Sequence, residues 1–366
     1  MKTRNRKPKI AVIGLKGLPA FGGAATVCEN IIEQLKDKYD FTVYSVSSHT
    51  DLKTGDYNGY KQIVFKSILN KRLNTLFYYI KSAFHVLFLG NYDLIHLHHR
   101  DAAFIILLLK IRYKILITTH GSGDVQPKWG KYEWFFKLNV KYFVKLADIA
   151  CCVSKNEKRF YEKKYNLEVK YIPNGINELS SFSKTNTDKS YIFFGAGRII
   201  KTKGCEIMLQ SLNLLNYKGK IVIAGDLEQS QTYKNEVLEL AKELDVKFIG
   251  LIKEKSILLK TIEKAKLFIF PSSVEAMSMM LLEGASVKTP IIASDIVENR
   301  DIFNEDEVLF FRTNDKVDLA EKIKWALENI NIMQTKANNA YEKLIKQYTW
   351  KEISRKYSDI FDHLIK

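Results

Sequence analysis

Cysteine is scarce in this chain of 366 residues and forms no recognisable framework. The four cysteines, Cys28, Cys151, Cys152 and Cys205, show no C-x-x-C spacing and lie in apolar surroundings. Neither a zinc site nor a disulfide scaffold is therefore indicated, and we expect a reducing compartment such as the cytoplasm.

Long uninterrupted apolar runs are also missing. The first ten residues, MKTRNRKPKI, are basic and lead into a strand-like run instead of the apolar core of a signal peptide. The longest apolar stretch, Ala102 to Thr119, is broken by Lys110, Arg112 and Lys114. We therefore expect neither secretion nor a transmembrane helix, and the absence of low-complexity repeats favours a folded protein.

Basic charge is concentrated in one half of the chain. The net charge is +16, and the first 180 residues carry 29 Lys and Arg against 15 Asp and Glu. Such an excess suits nucleic acid, an anionic membrane or a phosphorylated substrate, and solvated lysines are the simplest interpretation.

Short apolar runs alternate with amphipathic helical stretches along the whole chain, as in KIAVIG, TVCENIIEQL and FTVYSV. This alternation predicts an α/β fold with two doubly wound, Rossmann-like parallel-sheet domains. A polar piece near 178–190 separates two series of strands, so we predict domains at 1–177 and 191–345. The last stretch, 346–366, is predicted as a helix that can cross back to the first domain.

The Gly-rich turn GLPAFGGAAT, residues 17–26, precedes a predicted helix but fails both nucleotide motifs. Gly23 stands where a P-loop needs lysine, and Gly14 and Gly17 are spaced three apart instead of two. What remains is a turn whose backbone can approach a ligand at a helix N-terminus, or a turn kept only for packing.

The second series of strands opens with YIFFGAGRIIKTKG, in which a strand ends in glycines and two cations follow. Arg198 offers a planar fork for phosphate oxygens, and Lys203 adds a compact charge. Together they suit a diphosphate leaving group, although a lone arginine at a strand end is usually just solvated.

Two acids lie in the otherwise apolar stretch FIFPSSVEAMSMMLLEGAS. A helix predicted to begin near Ser278 would offer its free N–H groups to phosphate. Glu283 would lie about 7 Å further along the axis, within reach of a ribose diol. Glu275 is expected to face the hydroxyls of the attached group; ordinary helix charges are the alternative for both acids.

With these motifs the chain resembles a family 4 glycosyltransferase of the GT-B fold, whose two domains face a central cleft. The resemblance covers nearly the whole sequence and depends most on the ordered pair GR-x4-K and E-x7-E. Its other elements are Gly22 and Gly23, His96 and His98, TTHGSGD around His120, CVS at 152–154, IPNGIN at 172–177 and VKFIGLI. GLPAFGG is also similar to the start of bacterial capsule and lipopolysaccharide transferases.

The resemblance implies roles for particular residues. Arg198 and Lys203 would bind the donor diphosphate, and Glu283 the ribose. His120 and Glu275 would be the catalytic pair beside the transferred sugar. The remaining donor-binding positions would be Gly22, Gly23, Met277, Ser278 and Met279.

The sequence departs from the family pattern at two places. The glycines that often follow the first acid are replaced by Ala276, Met277 and Ser278. Lys288 stands where glycine usually precedes T-P, and a positive φ there would strain it by about 1 kcal/mol.

The predicted function is that of a retaining hexosyltransferase that uses a UDP-, GDP- or dTDP-sugar and a lipid-linked or oligosaccharide acceptor in surface polysaccharide biosynthesis. No cofactor or metal is expected. The predicted location is cytoplasmic. The segment 71–90 is either able to lie on an anionic membrane surface or is an ordinary amphipathic core helix. A GT-B epimerase or phosphorylase and, on charge alone, a nucleic-acid-binding protein are the alternatives, although no nucleic-acid motif accompanies the charge.

Overall fold

A computed structural model describes residues 6–19, 23–121, 138, 142–177 and 189–366. The chain divides into two compact units. Unit 1 comprises Met1–Asn174 together with Trp350–Lys366, and unit 2 comprises Gly175–Thr349. Most of the predicted linker, 178–190, lies outside the described residues.

Unit 1 is built on a sheet with strand order β3-β4-β2-β1-β5-β6-β7-β8 among its described residues. The strands are β1 (Lys9–Lys16), β2 (Asp40–Val46), β3 (Gly55–Tyr57), β4 (Tyr60–Phe65), β5 (Leu94–His98), β6 (Ile115–Thr119), β7 (Ile149–Cys152) and β8 (Lys170–Tyr171). All neighbouring pairs are parallel except β3–β4, a hairpin closed by Asn58 and Gly59. Strands β5 and β6 are buried throughout, as expected for a sheet that is covered on both faces.

Helices cover this sheet through apolar stripes at helical spacing. The described helices of the first segment are α1 (Gly23–Leu35), α2 (Lys71–Phe88), α3 (Ile106–Leu109) and α4 (Lys155–Tyr165), with a 3-10 turn at Arg100–Ile105. Helix α1 buries Val27, Cys28, Ile31 and Ile32 on one side, which is the stripe expected for a helix that packs on a sheet.

Unit 2 contains a parallel sheet with strand order β11-β10-β9-β12-β13-β14. The strands are β9 (Tyr191–Arg198), β10 (Lys220–Asp226), β11 (Val246–Gly250), β12 (Ala265–Phe270), β13 (Ile291–Ser294) and β14 (Leu309–Phe311). The chain builds outward from β9 to β11, then returns to the other side of β9 with β12. The strand order therefore reverses between β9 and β12, the kind of position where open α/β sheets bind ligands at the carboxyl ends of the strands.

The helices of unit 2 follow its strands in alternation. They are α5 (Cys205–Leu214), α6 (Gln231–Ala241), α7 (Lys255–Glu263), α8 (Met279–Ser286), α9 (Val297–Arg300), α10 (Lys316–Glu328) and α11 (Ile330–Gln347). This alternation of strands and helices confirms the predicted α/β architecture with two parallel-sheet domains.

The last helix, α12 (Trp350–Ile365), belongs to unit 1 and packs on α1. Phe361 is fully buried and meets the ring of Tyr39 edge to face, with 5.3 Å between the ring centroids. The Tyr39 hydroxyl donates to Asp362, 2.7 Å away. Apolar burial and this hydrogen bond hold the chain terminus on the first segment of unit 1.

Two further features concern the predicted environment of the protein. All four cysteines are buried and free. Within the ranges described above, none of the helices has the length and apolar content needed to cross a bilayer.

Candidate active site

The two predicted cations of unit 2 lie at or just after the end of β9, one of the two strands that flank the switch point of the sheet. Arg198 is the last residue of β9, and its side chain is exposed with no ion pair among the described residues. Lys203 ends a short 3-10 turn, Lys201–Lys203, and is about one quarter exposed. Both cations thus stand at the carboxyl edge of the central strand, where a ligand anion would meet them.

Lys203 is paired with the first predicted acid. Its Nζ donates to Oε1 of Glu275 over 2.5 Å, and the Glu275 side chain is only 10% exposed. Glu275 lies in the loop after β12, so the pair joins the ends of β9 and β12. An ammonium has three donors, which leaves Lys203 able to bind a second oxygen.

Backbone contacts hold the two loops in this arrangement. The Ser273 amide and the Ser272 hydroxyl both donate to the Thr202 carbonyl, at 2.9 and 3.1 Å. Gly204 follows with φ +69°, and a Cβ there would lie 2.4 Å from the Pro271 carbonyl oxygen. Only glycine fits at this junction, so the Lys203 turn is locked to the β12 loop.

Helix α8 begins where the sequence predicted it. Ser278 is the N-cap, and its hydroxyl accepts from the Leu281 amide at 3.4 Å. Met277 and Ser278 are buried, while Met279 is half-buried. The helix N-terminus therefore lies directly after the loop that carries Glu275, and its first-turn amides have no partner within the helix.

Glu283 is 5% exposed on this otherwise apolar helix. Its Oε1 accepts from Nζ of Lys255, the first residue of α7. Its Oε2 is buried and has no hydrogen-bond partner among the described residues. Sequence reasoning missed Lys255; the available signal was a basic residue at the start of the helix that follows VKFIG.

His120 follows β6 in unit 1 and forms a hydrogen bond with a second histidine, His98. Nδ1 of His98 lies 3.0 Å from Nε2 of His120, and the rings stack with an interplanar angle of 10°. His96 also packs against His98, with 4.1 Å between the ring centroids. Burial lowers the pKa of His98 and of His120 well below the usual range, so both rings are neutral at neutral pH.

The Gly-rich turn is described in part. Gly23 is the first residue of α1 and is exposed, with open space where a Cβ would stand. Gly22 lies outside the described residues. The predicted backbone contact with phosphate therefore stays a prediction for both glycines.

A buried acid that the sequence did not single out lies near His120. Glu157 is in the first turn of α4, and burial raises its pKa to about 7, although Arg100 acts in the opposite direction. An ideal Cβ on Gly121 would stand 3.4 Å from Oε1 of Glu157. This carboxyl group thus lies next to Gly121, the residue that follows His120.

A cavity of about 630 Å³ in unit 1 lies away from these groups. It is lined by the first residues of three strands, Lys9, Asp40 and Tyr60. Because ligands of parallel sheets bind at the carboxyl ends of the strands, this cavity at the amino ends is not assigned to the reaction. No group of acidic, histidine or cysteine side chains arranged for a metal is found in the ranges that the structure describes.

Two family models match consecutive parts of the chain. The model of glycosyltransferase family 4 matches residues 21–178, and that of glycosyl transferases group 1 matches residues 177–343. Together they cover residues 21–343, which is most of both units.

Three relatives illustrate the similarity in sequence. An uncharacterized glycosyltransferase of Methanocaldococcus jannaschii is 24% identical over 94% of this chain and 96% of its own length. The O-antigen biosynthesis glycosyltransferase WclY of Escherichia coli is 22% identical over 94% and 96%. The N,N'-diacetylbacillosaminyl-diphospho-undecaprenol alpha-1,3-N-acetylgalactosaminyltransferase of Campylobacter jejuni is 27% identical over 50% of this chain and 47% of its own.

Solved structures show the same fold. Sucrose-phosphate synthase from Thermosynechococcus elongatus superposes with a TM-score of 0.85 at 18% identity, covering 98% of this chain and 99% of its own. Anabaena HepE in complex with UDP and glucose has a TM-score of 0.76 at 17% identity, covering 98% and 100%. The two family models and these folds agree with the motifs, and the chain is a GT-B glycosyltransferase of the family 4 type.

Proposed function

We propose that this glycosyltransferase moves a hexose-type sugar from a nucleoside-diphosphate donor to a glycan acceptor, with retention of anomeric configuration. The observation that carries the proposal is the placement in unit 2 of Arg198 and Lys203 directly after β9, and of the buried Glu283 on the helix that follows β12, the two strands that flank the switch point. Two cations for a diphosphate and an acid with an unused oxygen are what a nucleotide requires. HepE, a protein of the same fold, was solved with UDP and glucose.

The two cations act on the leaving group. Breaking the sugar–phosphate bond develops negative charge on the diphosphate, and Arg198 and Lys203 stabilise it without moving far. Arg198 is free to form a bidentate contact because it has no ion pair among the described residues. Lys203 donates one N–H to phosphate while another N–H continues to donate to Glu275.

Glu275 and the start of α8 hold the rest of the donor. With one oxygen on Lys203, Glu275 turns its other oxygen to the hydroxyls of the transferred sugar. The amides of Met277 to Met279 and the helix N-terminus bind the distal phosphate. Fixed cations and backbone amides of the chain itself thus stabilise the negative charge that develops on the diphosphate.

His120 acts on the transferred sugar through one ring nitrogen. Its Nε2 is bonded to Nδ1 of His98, which leaves Nδ1 of His120 for the ligand. A neutral imidazole there forms a hydrogen bond to a sugar hydroxyl and polarises it as the ring gains oxocarbenium character. NMR of the newly formed product should show the same anomeric configuration as the donor, since retention is proposed.

Removal of both cations tests the donor site. We expect Arg198→Ala with Lys203→Ala to lower kcat/KM by about 10² to 10⁴, because two charge-assisted hydrogen bonds to the leaving group are lost. A thermal-shift screen against UDP-, GDP- and dTDP-sugars identifies the donor, and transfer to acceptor is then followed by mass spectrometry.

The matched control removes two exposed lysines of the same sheet, Lys220→Ala with Lys266→Ala, and should leave transfer unchanged. Near wild-type turnover in a folded Arg198/Lys203 double variant would contradict the assigned site. Release or isomerisation of the sugar without an acceptor would instead identify a phosphorylase or an epimerase.

We further propose that the acceptor is lipid-linked and that unit 1 meets it at the inner face of the cytoplasmic membrane, in surface polysaccharide biosynthesis. Names of two relatives support this, one an O-antigen enzyme and one that acts on a diphospho-undecaprenol substrate. In unit 1, α2 supports it as well. Leu73, Phe77, Phe84 and Phe88 form one stripe, here named the α2 face, and are 46% to 73% exposed.

The α2 face suits an anionic bilayer more than a protein core. The other side of α2 is already buried through Tyr78, Tyr79, Ala83 and Val86, so the helix is apolar on both sides. Lys81 is exposed on the same helix, and this half of the chain holds most of the excess positive charge. Apolar side chains next to cations are typical of interfacial helices.

Flotation with vesicles tests the membrane proposal. At low salt the protein should float with phosphatidylcholine vesicles that contain phosphatidylglycerol and much less with phosphatidylcholine alone. Phe84→Ser with Phe88→Ser should abolish flotation, whereas Leu238→Ser, an exposed leucine of unit 2, should not. Equal recovery on both vesicles would rule out an electrostatic contribution.

A further inference from the structure

The ion pair between Lys255 and Glu283 is the least expected contact of the donor unit. Lys255 is the first residue of α7, where the helix dipole disfavours a positive charge. Its side chain is 46% exposed, while that of Glu283 is 6% exposed. Helix stability gives no reason for a lysine at this position, but the buried acid does.

The two oxygens of Glu283 have different surroundings. Oε1 accepts from Nζ of Lys255, which supplies the counter-charge that a buried carboxylate requires. Oε2 is buried and has no partner among the described residues. A buried acceptor without a partner is costly, so a ligand hydroxyl that binds there gains more than it would at the surface.

We propose that Lys255 is a positioning residue for the donor. By holding Oε1, it orients the carboxylate so that Oε2 is presented to a ribose hydroxyl of the nucleoside diphosphate. This inference rests on the proposed function, since it assumes that Glu283 binds the donor ribose. Lys255 acts through Glu283 and makes no contact with the phosphates.

A comparison of two ligands and two proteins tests this assignment. The probe is whichever of UDP, GDP and dTDP binds wild type most tightly, together with its 2',3'-dideoxy counterpart, in calorimetry. We expect Lys255→Met to weaken binding of the first ligand about ten-fold, since the carboxylate loses its orientation and its charge partner. For the dideoxy ligand, wild type and variant should bind equally.

Other outcomes contradict the proposal in distinct ways. An equal loss for both ligands would mean that Lys255 contacts phosphate directly. Tighter binding by the variant would mean that Lys255 competes with the ribose. If wild type binds none of the diphosphates, the proposed function itself fails, whereas binding that is indifferent to Lys255 overturns only this inference.

Controls separate positioning from folding. Lys260→Met changes an exposed lysine on the same helix and should leave binding unchanged. Lys255→Arg keeps the charge and should restore most of the affinity. In a Glu283→Gln background, Lys255→Met should have no further effect; if Lys255→Met fails to fold, Lys255→Gln takes its place in the same comparison.

Discussion

At the scale of single residues, Lys288 shows a conflict between side chain and backbone. Its φ is +55°, the left-handed region that the sequence departure at this position had put in question. Lys288 lies over the ring of Tyr341, with Nζ 4.3 Å from the centroid, and its carbonyl accepts from Gln334. These contacts with α11 offset the strain of a side chain at positive φ.

Two substitutions at Lys288 separate the strain from the contacts. Both Lys288→Gly and Lys288→Ala lose the Tyr341 contact, but only alanine keeps the strained backbone. We expect the glycine variant to be more stable than the alanine variant by about 1 kcal/mol in urea unfolding. A glycine variant that is no more stable than the alanine variant would contradict this prediction.

At the scale of elements, the start of α5 and the loop after β12 form one rigid corner. Gly204 is the residue at which the two meet, because its φ is +69° and its α-carbon faces the Pro271 carbonyl. The Lys203–Glu275 pair lies directly beside this contact. The corner therefore sets the separation of two groups assigned to the donor.

Gly204→Ala should disturb both stability and donor binding. We expect a loss of about 2 to 4 kcal/mol from positive φ and from the clash with Pro271, together with weaker nucleotide binding. Gly197→Ala is the control, since nothing lies within 4 Å of its Cβ, and its stability should not fall. Thermal unfolding and calorimetry on the two variants check this, and an unaffected Gly204→Ala would argue against a rigid corner.

At the scale of the whole molecule, histidine is confined to one unit. All seven histidines lie in the sequence of unit 1, and unit 2 has none. Burial lowers the pKa of His96 to about 3 and those of His98 and His120 well below the usual range. In the same unit burial raises the pKa of Glu157 to about 7.

These shifts predict that unit 1 is sensitive to acid. Below about pH 6.5 the histidines bind protons in the unfolded chain but stay neutral in the folded one, so the free energy of unfolding decreases as the pH is lowered. His96 alone lowers it by about 2 kcal/mol at pH 5. Glu157 has the opposite sign, because its folded form binds a proton first, and it offsets roughly one histidine. The contributions of His98 and His120 therefore leave a net loss of stability on acidification.

Hydrogen exchange measured at pH 7 and pH 5, corrected for intrinsic rates, checks this prediction. Peptides from β5 and β6 should lose protection on acidification, while those from β9 and β12 serve as an internal control without histidine. An equal change of amide protection in the two units between pH 7 and pH 5 would contradict the prediction. His96→Asn should reduce the pH dependence if the variant folds.

The sequence alone determined the architecture and much of the donor site. Apolar strands alternate with helices, and a parallel sheet places the end of every strand on one edge, so Arg198 and Lys203 were predictable from their position after β9. The start of α8 at Met279 and the burial near Glu283 follow from the same local pattern. Local order along the chain is enough for such features.

The tertiary structure decided which of these groups meet. Lys203 and Glu275 are 72 residues apart, Lys255 and Glu283 are 28 apart, and His98 and His120 are 22 apart. The burial of Glu157 and the positive φ of Lys288 likewise depend on neighbours from distant elements. Strand order and packing set these distances, and a pattern of residues along one chain does not specify them.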